Sequence, residues 1–294
     1  MAFFSKHLNL GPALKISPWR KIAIGTWKTA GDPSVYGTVE VDVIPALAYL
    51  EKLNQNSEIK VTFTHFVGKV VAQAISEHPE INCILRFGRL YPRKTVDIFF
   101  QVATDTYGKD LSGTTIREAD KKSVLQIAKE MQGSIQKIRN QGDPDFRRMK
   151  NTLGLIPGFF VSAAIKFTSL FLYTLNIWSA IFGSPKDPFG SVMITSIGSI
   201  GMDMAFAPLV PYSRVPALLA VGMIRDTPVI REGRVEVGKT VLLCATIDHR
   251  VIDGMHASRM VKTLRRIFAD PQKELGMPPV SGNVRSKAET VKQI

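Results

Sequence analysis

The chain has 294 residues, a formal net charge of +13 and 45% hydrophobic residues. This length and apolar content are enough for one large hydrophobic core, which excludes a disordered chain and predicts one principal domain. The only cysteines, Cys83 and Cys244, fall in apolar stretches, which argues against a disulfide framework and favours a reducing, cytoplasmic location. The five histidines show no metal-ligand spacing, so no metal ion is expected.

The positive charge has more than one explanation. The basic residues are scattered, aromatic residues are not interleaved with them, and no nucleic-acid-binding motif is present, which argues against a nucleic-acid partner. An anionic membrane surface, a polyanionic substrate and a basic solvated surface all account for the charge. No long apolar run follows the first basic residues, so a signal peptide is not expected.

Hydrophobic periodicity divides the chain into alternating strands and helices. An N-terminal arm at 1–16 and a flexible C-terminal tail at 273–294 flank these elements. The mixture predicts an α/β two-layer sandwich with a mixed sheet. In chain order we predict a strand at 35–43, helices at 45–53 and 63–78, a strand at 96–103, a helix at 124–138, strands at 191–197 and 216–222, a hairpin at 228–237 turning at Glu232-Gly233, a strand at 240–247 and a helix at 257–268.

The run from His249 to Gly254 lies between the last predicted strand and the last predicted helix. His249 therefore ends a core strand, at a position where a rigid scaffold can hold a side chain in a cleft. A neutral imidazole titrates near working pH, so His249 is a candidate general base. By itself, a histidine at a strand end is more often structural, and Asp253 four residues later would be read as the cap of the helix.

Further motifs accompany this run in a set order. They are Ser17–Ala23 with its Arg-Lys pair, the alternating strand Val39–Val43, the helix end His78–Asn82, the segment Ile194–Gly201, and the strand Ala217–Gly222. Together with His249–Gly254 they resemble the chloramphenicol acetyltransferase and dihydrolipoamide acyltransferase superfamily from about Ser17 to Pro271. The resemblance implies a chloramphenicol acetyltransferase-like fold with the catalytic domain at 17–272.

The resemblance also implies roles for individual residues. His249 corresponds to the family's general base, and Asp253 to an acid that pairs with an arginine of the opening segment, here Arg20. The family's oxyanion-stabilising serine falls at Thr195, which is followed by Ser196; a threonine keeps the hydroxyl donor but adds a methyl group. Substrate-binding candidates near the base are the side chains of Arg250 and His256, which face either coenzyme A phosphates or solvent, and the backbone at Gly254.

Acyl transfer between a thioester and a thiol or hydroxyl acceptor is the activity that the resemblance implies. The donor would be coenzyme A or a lipoyl group, and the site would lie between the subunits of a homotrimer. The resemblance begins at about Ser17, close to Met1, so we expect a lipoyl group to come from a partner protein. Gly108–Gly113 departs from the family pattern near the donor channel, which leaves donor preference open. A non-catalytic scaffold or membrane-docking core is the alternative function.

An apolar segment interrupts the resemblance at about 151–186. Phe159–Phe182 is apolar except for one narrow polar stripe that includes Lys166 and Asn176. A helix of this length would extend about 36 Å, enough to span a bilayer. A lysine at mid-bilayer is costly, so an interfacial helix against a membrane or a hydrophobic partner fits better than a full span. A helix packed between subunits or over an acyl pocket is the alternative.

Overall fold

The computed structural model describes residues 5–26, 32–55, 57–103, 111–141, 157–179 and 185–277. The described strands are β1 (Ser5–Lys6), β2 (Ser34–Asp42), β3 (Cys83–Arg86), β4 (Arg89–Pro92), β5 (Ile98–Ala103), β6 (Leu111–Ile116), β7 (Ile177–Trp178), β8 (Val192–Ser196), β9 (Ala217–Val221), β10 (Arg225–Arg231) and β11 (Arg234–Asp248). The described α-helices are α1 (Pro18–Thr26), α2 (Ile44–Gln55), α3 (Phe63–Glu77), α4 (Val124–Gln141), α5 (Gly158–Ser169), α6 (Gly254–Ala269) and α7 (Pro271–Leu275).

A seven-stranded mixed sheet organises the fold. Its order is β10-β11-β9-β8-β5-β6, and β2 pairs with β11 beyond the end of β10. Strands β5, β8 and β9 are parallel to one another, whereas β11 runs antiparallel to β9. The carboxyl end of β11 therefore lies at the same edge of the sheet as the amino ends of β8 and β9. This arrangement confirms the predicted α/β fold with a mixed sheet.

Strand β11 is longer than the sequence pattern predicted. The hairpin turn lies at Glu232-Gly233, where both residues have positive φ angles of 50° and 76°, as a two-residue turn between antiparallel strands requires. The separate strands predicted at 228–237 and 240–247 are wrong in one respect, because residues 234–248 form one continuous strand. Its first half pairs with β10 and its second half with β2, so pairing partners change without a break in the strand.

The main hydrophobic core lies between one face of the sheet and the helices, among them α2, α3, α4 and α6. Phe66 of α3 and Phe268 of α6 pack edge to face at 5.2 Å between ring centroids, and both are fully buried. Val124, Ile127 and Ala128 of α4 join the same core. The 3.6-residue spacing of apolar positions buries one side of each helix, and this burial is the main force that holds the helices to the sheet.

The opposite face of the sheet is covered by the N-terminal arm, the β3–β4 hairpin and the apolar segment. Leu8, Leu172 and Tyr173 are buried there against Met193 and Leu218 of the sheet. Strand β1 of the arm pairs with β7 directly after the apolar helix. The arm is therefore a packed part of the domain over the residues that the structure describes.

The apolar helix ends earlier than predicted. Helix α5 continues as a π-helix at Leu170–Leu175 and stops at Asn176, whose backbone is left-handed with φ 57°. The Asn176 side chain accepts a hydrogen bond from the Leu8 N–H and donates one to the Leu8 carbonyl oxygen. Gly158–Leu175 still has the length and composition of a membrane-spanning helix, and 17% of it is buried. The predicted helix of residues 159–182 is thus shortened by a side-chain contact that is remote in sequence.

The C-terminal part of the domain extends past residue 272. Helix α7 ends at Leu275, and the Tyr49 hydroxyl donates to the Gly276 carbonyl oxygen at 2.9 Å. Residues 278–294 of the predicted tail lie outside the described residues, as do residues 108–110 of the altered donor segment and residues 151–156 and 180–184 of the predicted insertion.

Candidate active site

The His249 loop begins where β11 ends at the edge of the sheet. The His249 N–H donates to the Pro33 carbonyl oxygen at 3.0 Å, and the Asp248 N–H donates to the Pro216 carbonyl oxygen at 2.8 Å. His249 Nδ1 lies 3.0 Å from the Ile252 carbonyl oxygen. A carbonyl oxygen can only accept, so Nδ1 carries the proton in the neutral ring and Nε2 is the basic nitrogen.

Arg20 of α1 binds both ends of this loop through its guanidinium group. Its Nη2 lies 2.6 Å from Asp253 Oδ2, and its Nη1 donates to the His249 carbonyl oxygen at 3.2 Å. The guanidinium is almost fully buried, whereas a quarter of the Asp253 side chain is exposed. One arginine thus joins the base loop to the N-terminus of α6. The structure brings together the two residues expected to form an ion pair.

Asp253 is also the N-cap of α6. Its Oδ1 accepts a hydrogen bond from the His256 N–H at 3.0 Å, which satisfies one of the unpaired amides at the helix start. Partial burial of the carboxyl opposes ionisation, but the hydrogen bond from His256 and the charges of His256 and Arg20 together lower the Asp253 pKa below its usual value. The side chain is therefore held as a carboxylate by its surroundings.

The side-chain nitrogens of Arg250 and His256 contact carboxylates of the same loop. Arg250 contacts both carboxylate oxygens of Asp248, through Nε at 3.0 Å and Nη2 at 2.8 Å. His256 Nδ1 lies 2.8 Å from Asp253 Oδ1, and Gly254 is the first residue of α6. Their role in substrate binding stays a prediction. Sequence reasoning missed Asp248, although a carboxylate at the end of a buried strand is a recognisable signal for a charged partner.

Thr195 and Ser196 lie at the other end of the sheet from His249. They are the last two residues of β8 and are half-buried. Thr195 is paired with Ala220 of β9, and Ser196 with Val221. Both hydroxyl residues therefore stand at the carboxyl end of a parallel strand, where the sheet meets the Gly198–Ile200 turn.

The strand register gives the distance between Thr195 and His249 within one chain. Thr246 pairs with Leu218, and Leu218 pairs with Met193, so these three residues lie at one level of the sheet. Thr195 is two residues from this level in one direction and His249 is three residues from it in the other. At about 3.3 Å per residue and about 4.8 Å per strand spacing, the two are roughly 16 Å apart along the strands and 10 Å across them. One chain does not bring the base and the hydroxyl together.

The chain belongs to the family described as 2-oxoacid dehydrogenases acyltransferase (catalytic domain), whose profile matches residues 13–143 and 188–275. The match omits residues 144–187, which include α5 and β7. The fold is that of chloramphenicol acetyltransferase (TM-score 0.52, 19% identity, 87% of this chain and 99% of that chain). It is also that of Azotobacter vinelandii dihydrolipoamide acetyltransferase (TM-score 0.61, 24% identity, 90% and 94%), a structure determined to study a serine, a histidine and an asparagine in its catalytic mechanism.

A curated relative gives the same family by sequence. The chain is 27% identical over 241 residues to the lipoamide acyltransferase component of the branched-chain alpha-keto acid dehydrogenase complex of Bacillus subtilis (strain 168). The alignment covers 80% of this chain and 46% of the relative, so the chain spans about half the length of the curated relatives it matches. In the described residues, no cluster of three histidine, cysteine or acidic side chains is arranged to hold a metal ion.

Proposed function

We propose that this chain is an acyltransferase that moves an acyl group between a thioester of the coenzyme A or lipoyl type and a thiol or hydroxyl acceptor. The observation that carries this proposal is the fixed imidazole of His249, in a chain of which the acyltransferase family covers about three quarters. The contact of Nδ1 with the Ile252 carbonyl oxygen selects the tautomer in which Nε2 can accept a proton.

His249 acts as the general base in the proposed mechanism. Its Nε2 takes the proton of the acceptor thiol or hydroxyl while the acceptor sulfur or oxygen forms a bond to the thioester carbonyl carbon. The tetrahedral intermediate then breaks its bond to the donor sulfur, and the leaving thiolate receives the proton from the imidazolium. Base catalysis of this kind is worth about 10²–10⁴-fold in rate. The buried Arg20 keeps the loop in place during both proton transfers.

The hydroxyl group of Thr195 or of Ser196 is proposed to stabilise the oxyanion of that intermediate. One donor aimed at a developing oxyanion contributes about 10²–10³-fold. Because these residues and His249 are far apart in one chain, we propose that the active site forms between subunits of a homotrimer. The Azotobacter vinelandii structure supports the proposed role of His249, since the histidine and asparagine studied there lie four positions apart, as His249 and Asp253 do here.

The partners of this reaction follow from the same family. Coenzyme A is proposed as one thioester carrier, and a lipoyl group on another protein as the other, in the cytoplasm. The Bacillus subtilis relative is a component of a dehydrogenase complex. We therefore propose that the chain works on acyl groups delivered by a separate lipoyl-carrying protein.

Thioester turnover tests the activity directly. Purified protein would be given acyl-CoAs from acetyl to palmitoyl, with dihydrolipoamide or simple alcohols as acceptors, and free thiol release would be recorded. His249→Ala is expected to lower the rate by at least about 10²-fold, because it removes the base, with the oligomer unchanged in size-exclusion chromatography. A folded oligomer that releases no thiol from any donor would refute the enzyme and favour a non-catalytic scaffold.

A mixed-oligomer experiment tests where the two halves of the site come from. His249→Ala and the double variant Thr195→Val, Ser196→Ala would each be inactive, and the two chains would then be co-expressed and purified as mixed trimers. If one subunit supplies the base and its neighbour the hydroxyl, about one quarter of the sites in random trimers regain both groups. A site contained in one chain predicts no recovery above the two parent variants.

An apolar surface on α5 supports a peripheral contact with a membrane. Phe159, Phe160 and Phe167 are 78%, 55% and 58% exposed, and Leu170 beside them is 43% exposed. Large apolar side chains clustered on one helix of a basic protein are typical of an interfacial helix. Sedimentation with anionic and with neutral lipid vesicles tests this contact. Phe159→Ser, Phe160→Ser protein should lose vesicle binding; equal recovery of both proteins in the supernatant would point to a protein partner instead.

A further inference from the structure

A groove of about 950 Å³ separates α5 from the segment at residues 210–214. Its volume is in the range typical of small-molecule sites. Its apolar wall comes mainly from Val161 and Ile165 of the helix, from Leu170 at the start of the π-helix, and from Val210 and Pro211 opposite. The helix lies in residues 144–187, which the family profile does not match, so this wall of the groove is built from a segment outside the family match.

Two cations line this groove. Lys166 and Arg214 are among the lining residues, and no described residue of the lining is acidic. Lys166 is exposed at the groove, and Arg214 is half-buried. Among the described residues, neither Lys166 nor Arg214 forms an ion pair, whereas Arg93, for example, pairs with Asp187. The groove therefore carries positive charge that no ion pair with another described residue compensates.

The hydrogen bonds of Arg214 go to neutral acceptors. Its Nη2 donates to Thr174 Oγ1 at 2.8 Å and to Ser169 Oγ at 3.4 Å, and its Nη1 donates to the Leu85 carbonyl oxygen at 3.4 Å. These contacts orient the guanidinium beside the π-helical end of the apolar segment but do not neutralise it. A partly buried charge without an opposite charge is costly, and an anionic ligand would offset that cost.

The local backbone and electrostatics agree with this picture. Arg214 has a left-handed backbone with φ 51°, a conformation that costs energy for a residue other than glycine and is found often at ligand sites. Burial lowers the Arg214 pKa; Tyr173 opposes this shift, and the nearby charges of Arg250 and Arg86 add to it. Two further arginines, Arg250 and Arg86, therefore lie close enough to add positive potential at the guanidinium.

We propose that the groove binds a single-chain amphipathic anion, with its carboxylate or phosphate at Lys166 and Arg214 and its hydrocarbon tail against Val161, Ile165 and Val210. The opposite charges pair the head group, and the apolar walls remove the tail from water. The two head groups share one chemistry and differ in source, a free fatty carboxylate or a phosphate ester.

The groove adjoins the His249 end of the sheet. Arg214 lies two residues before Pro216, whose carbonyl oxygen accepts the hydrogen bond from the Asp248 N–H. A ligand held there would be next to the loop that carries the candidate base. The binding proposal itself needs no acyl transfer step and is measured separately from turnover.

Isothermal titration calorimetry tests the proposal on the purified protein. The ligands are laurate, dodecyl phosphate, uncharged dodecanol, acetate and inorganic phosphate. At least one of the two dodecyl anions, laurate or dodecyl phosphate, should bind. Acetate and inorganic phosphate lack the hydrocarbon tail and dodecanol lacks the charge, so each of these three should bind at least about tenfold more weakly. Equal binding of dodecanol and both dodecyl anions, or of inorganic phosphate and dodecyl phosphate, would overturn the proposal.

Variants locate the binding to this groove. Arg214→Gln should weaken laurate binding by about tenfold or more, and the exposed Lys166→Gln by about threefold. Ile165→Trp fills the groove from a half-buried position and should abolish binding without removing any hydrogen bond of Arg214. Arg259→Gln, on the exposed side of α6, is the matched control and should bind like the wild type. Unchanged affinity in Ile165→Trp and Lys166→Gln would overturn the proposal even if Arg214→Gln fails to fold.

Discussion

The ion pair between Arg20 and Asp253 offers a quantitative test of how the base loop is held. The two side chains approach to 2.6 Å, and 9% of the arginine and 26% of the aspartate side chain are exposed. Breaking a buried pair by removing one charge costs about 3–5 kcal/mol, because the other charge stays buried without a partner. Since Asp253 retains contact with water, Asp253→Asn should cost about 2–3 kcal/mol of unfolding free energy.

The opposite substitution should cost less. Arg20→Met leaves a carboxylate that still caps α6 and accepts from the His256 N–H, so the remaining charge keeps a favourable position at the helix N-terminus. We expect a loss of about 1–2 kcal/mol, and a double variant less unstable than the sum of the two single variants. The coupling energy should be about 1–2 kcal/mol if the pair acts as the structure indicates.

Urea unfolding of the four proteins at pH 7 measures this coupling. The pair Arg259–Glu80 is the matched control, because it lies at 3.3 Å with both side chains at least one third exposed and should couple by less than about 1 kcal/mol. Turnover should fall in both Arg20→Met and Asp253→Asn, since Arg20 also holds the His249 carbonyl oxygen. A coupling no larger than that of the control pair would refute the reasoning.

Two further predictions concern the scaffold. Burial lowers the His65 pKa from 6.5 to about 4, and its Nδ1 accepts a hydrogen bond from the Thr62 N–H. Between these two pH values the unfolded chain binds more protons than the folded chain. The free energy of unfolding should therefore fall by up to about 3 kcal/mol as the pH falls from about 6.5 to 4. His65→Gln keeps an acceptor without titrating, and urea unfolding at pH 7.5 and 5 should show a smaller loss than in the wild type; equal losses would contradict this. Asn176→Ala should cost about 2 kcal/mol, because it loses both hydrogen bonds to Leu8 and keeps a left-handed backbone. Asn176→Gly relieves the backbone and should be less unstable; equal thermal midpoints of the two variants would argue that the backbone conformation contributes nothing.

The order of elements could be predicted from the sequence because periodicity is a local property. The alternation at 35–43 became β2, the stripe at 124–138 became α4, and Glu232-Gly233 became a hairpin turn. The ends of elements were less accurate where a distant contact decides them. Asn176 stops the apolar helix through Leu8, 168 residues away in sequence, and no pattern within the helix predicts that contact.

Some features of the candidate site could likewise be predicted from local sequence, and others depend on distant contacts. A strand, a histidine, a turn and a capped helix are adjacent in sequence, so the His249 loop and its neighbour Asp253 could be located from the chain alone. The resemblance to a family added Arg20, which is 233 residues from its partner. Only the structure showed that Asp248 takes the side chain of Arg250 and that a cationic groove lies behind α5.

Local patterns were therefore enough to predict the fold class and the family and to locate a candidate base, since each depends on residues close in sequence or on an ordered set of short motifs. The tertiary structure decided which groups meet. Parallel pairing of β8 with β9 and antiparallel pairing of β9 with β11 place Thr195 and His249 at opposite ends of one sheet. Strand direction is a property of the whole sheet, set by which strands pair, and it is this property that separates the two halves of the candidate site within one chain.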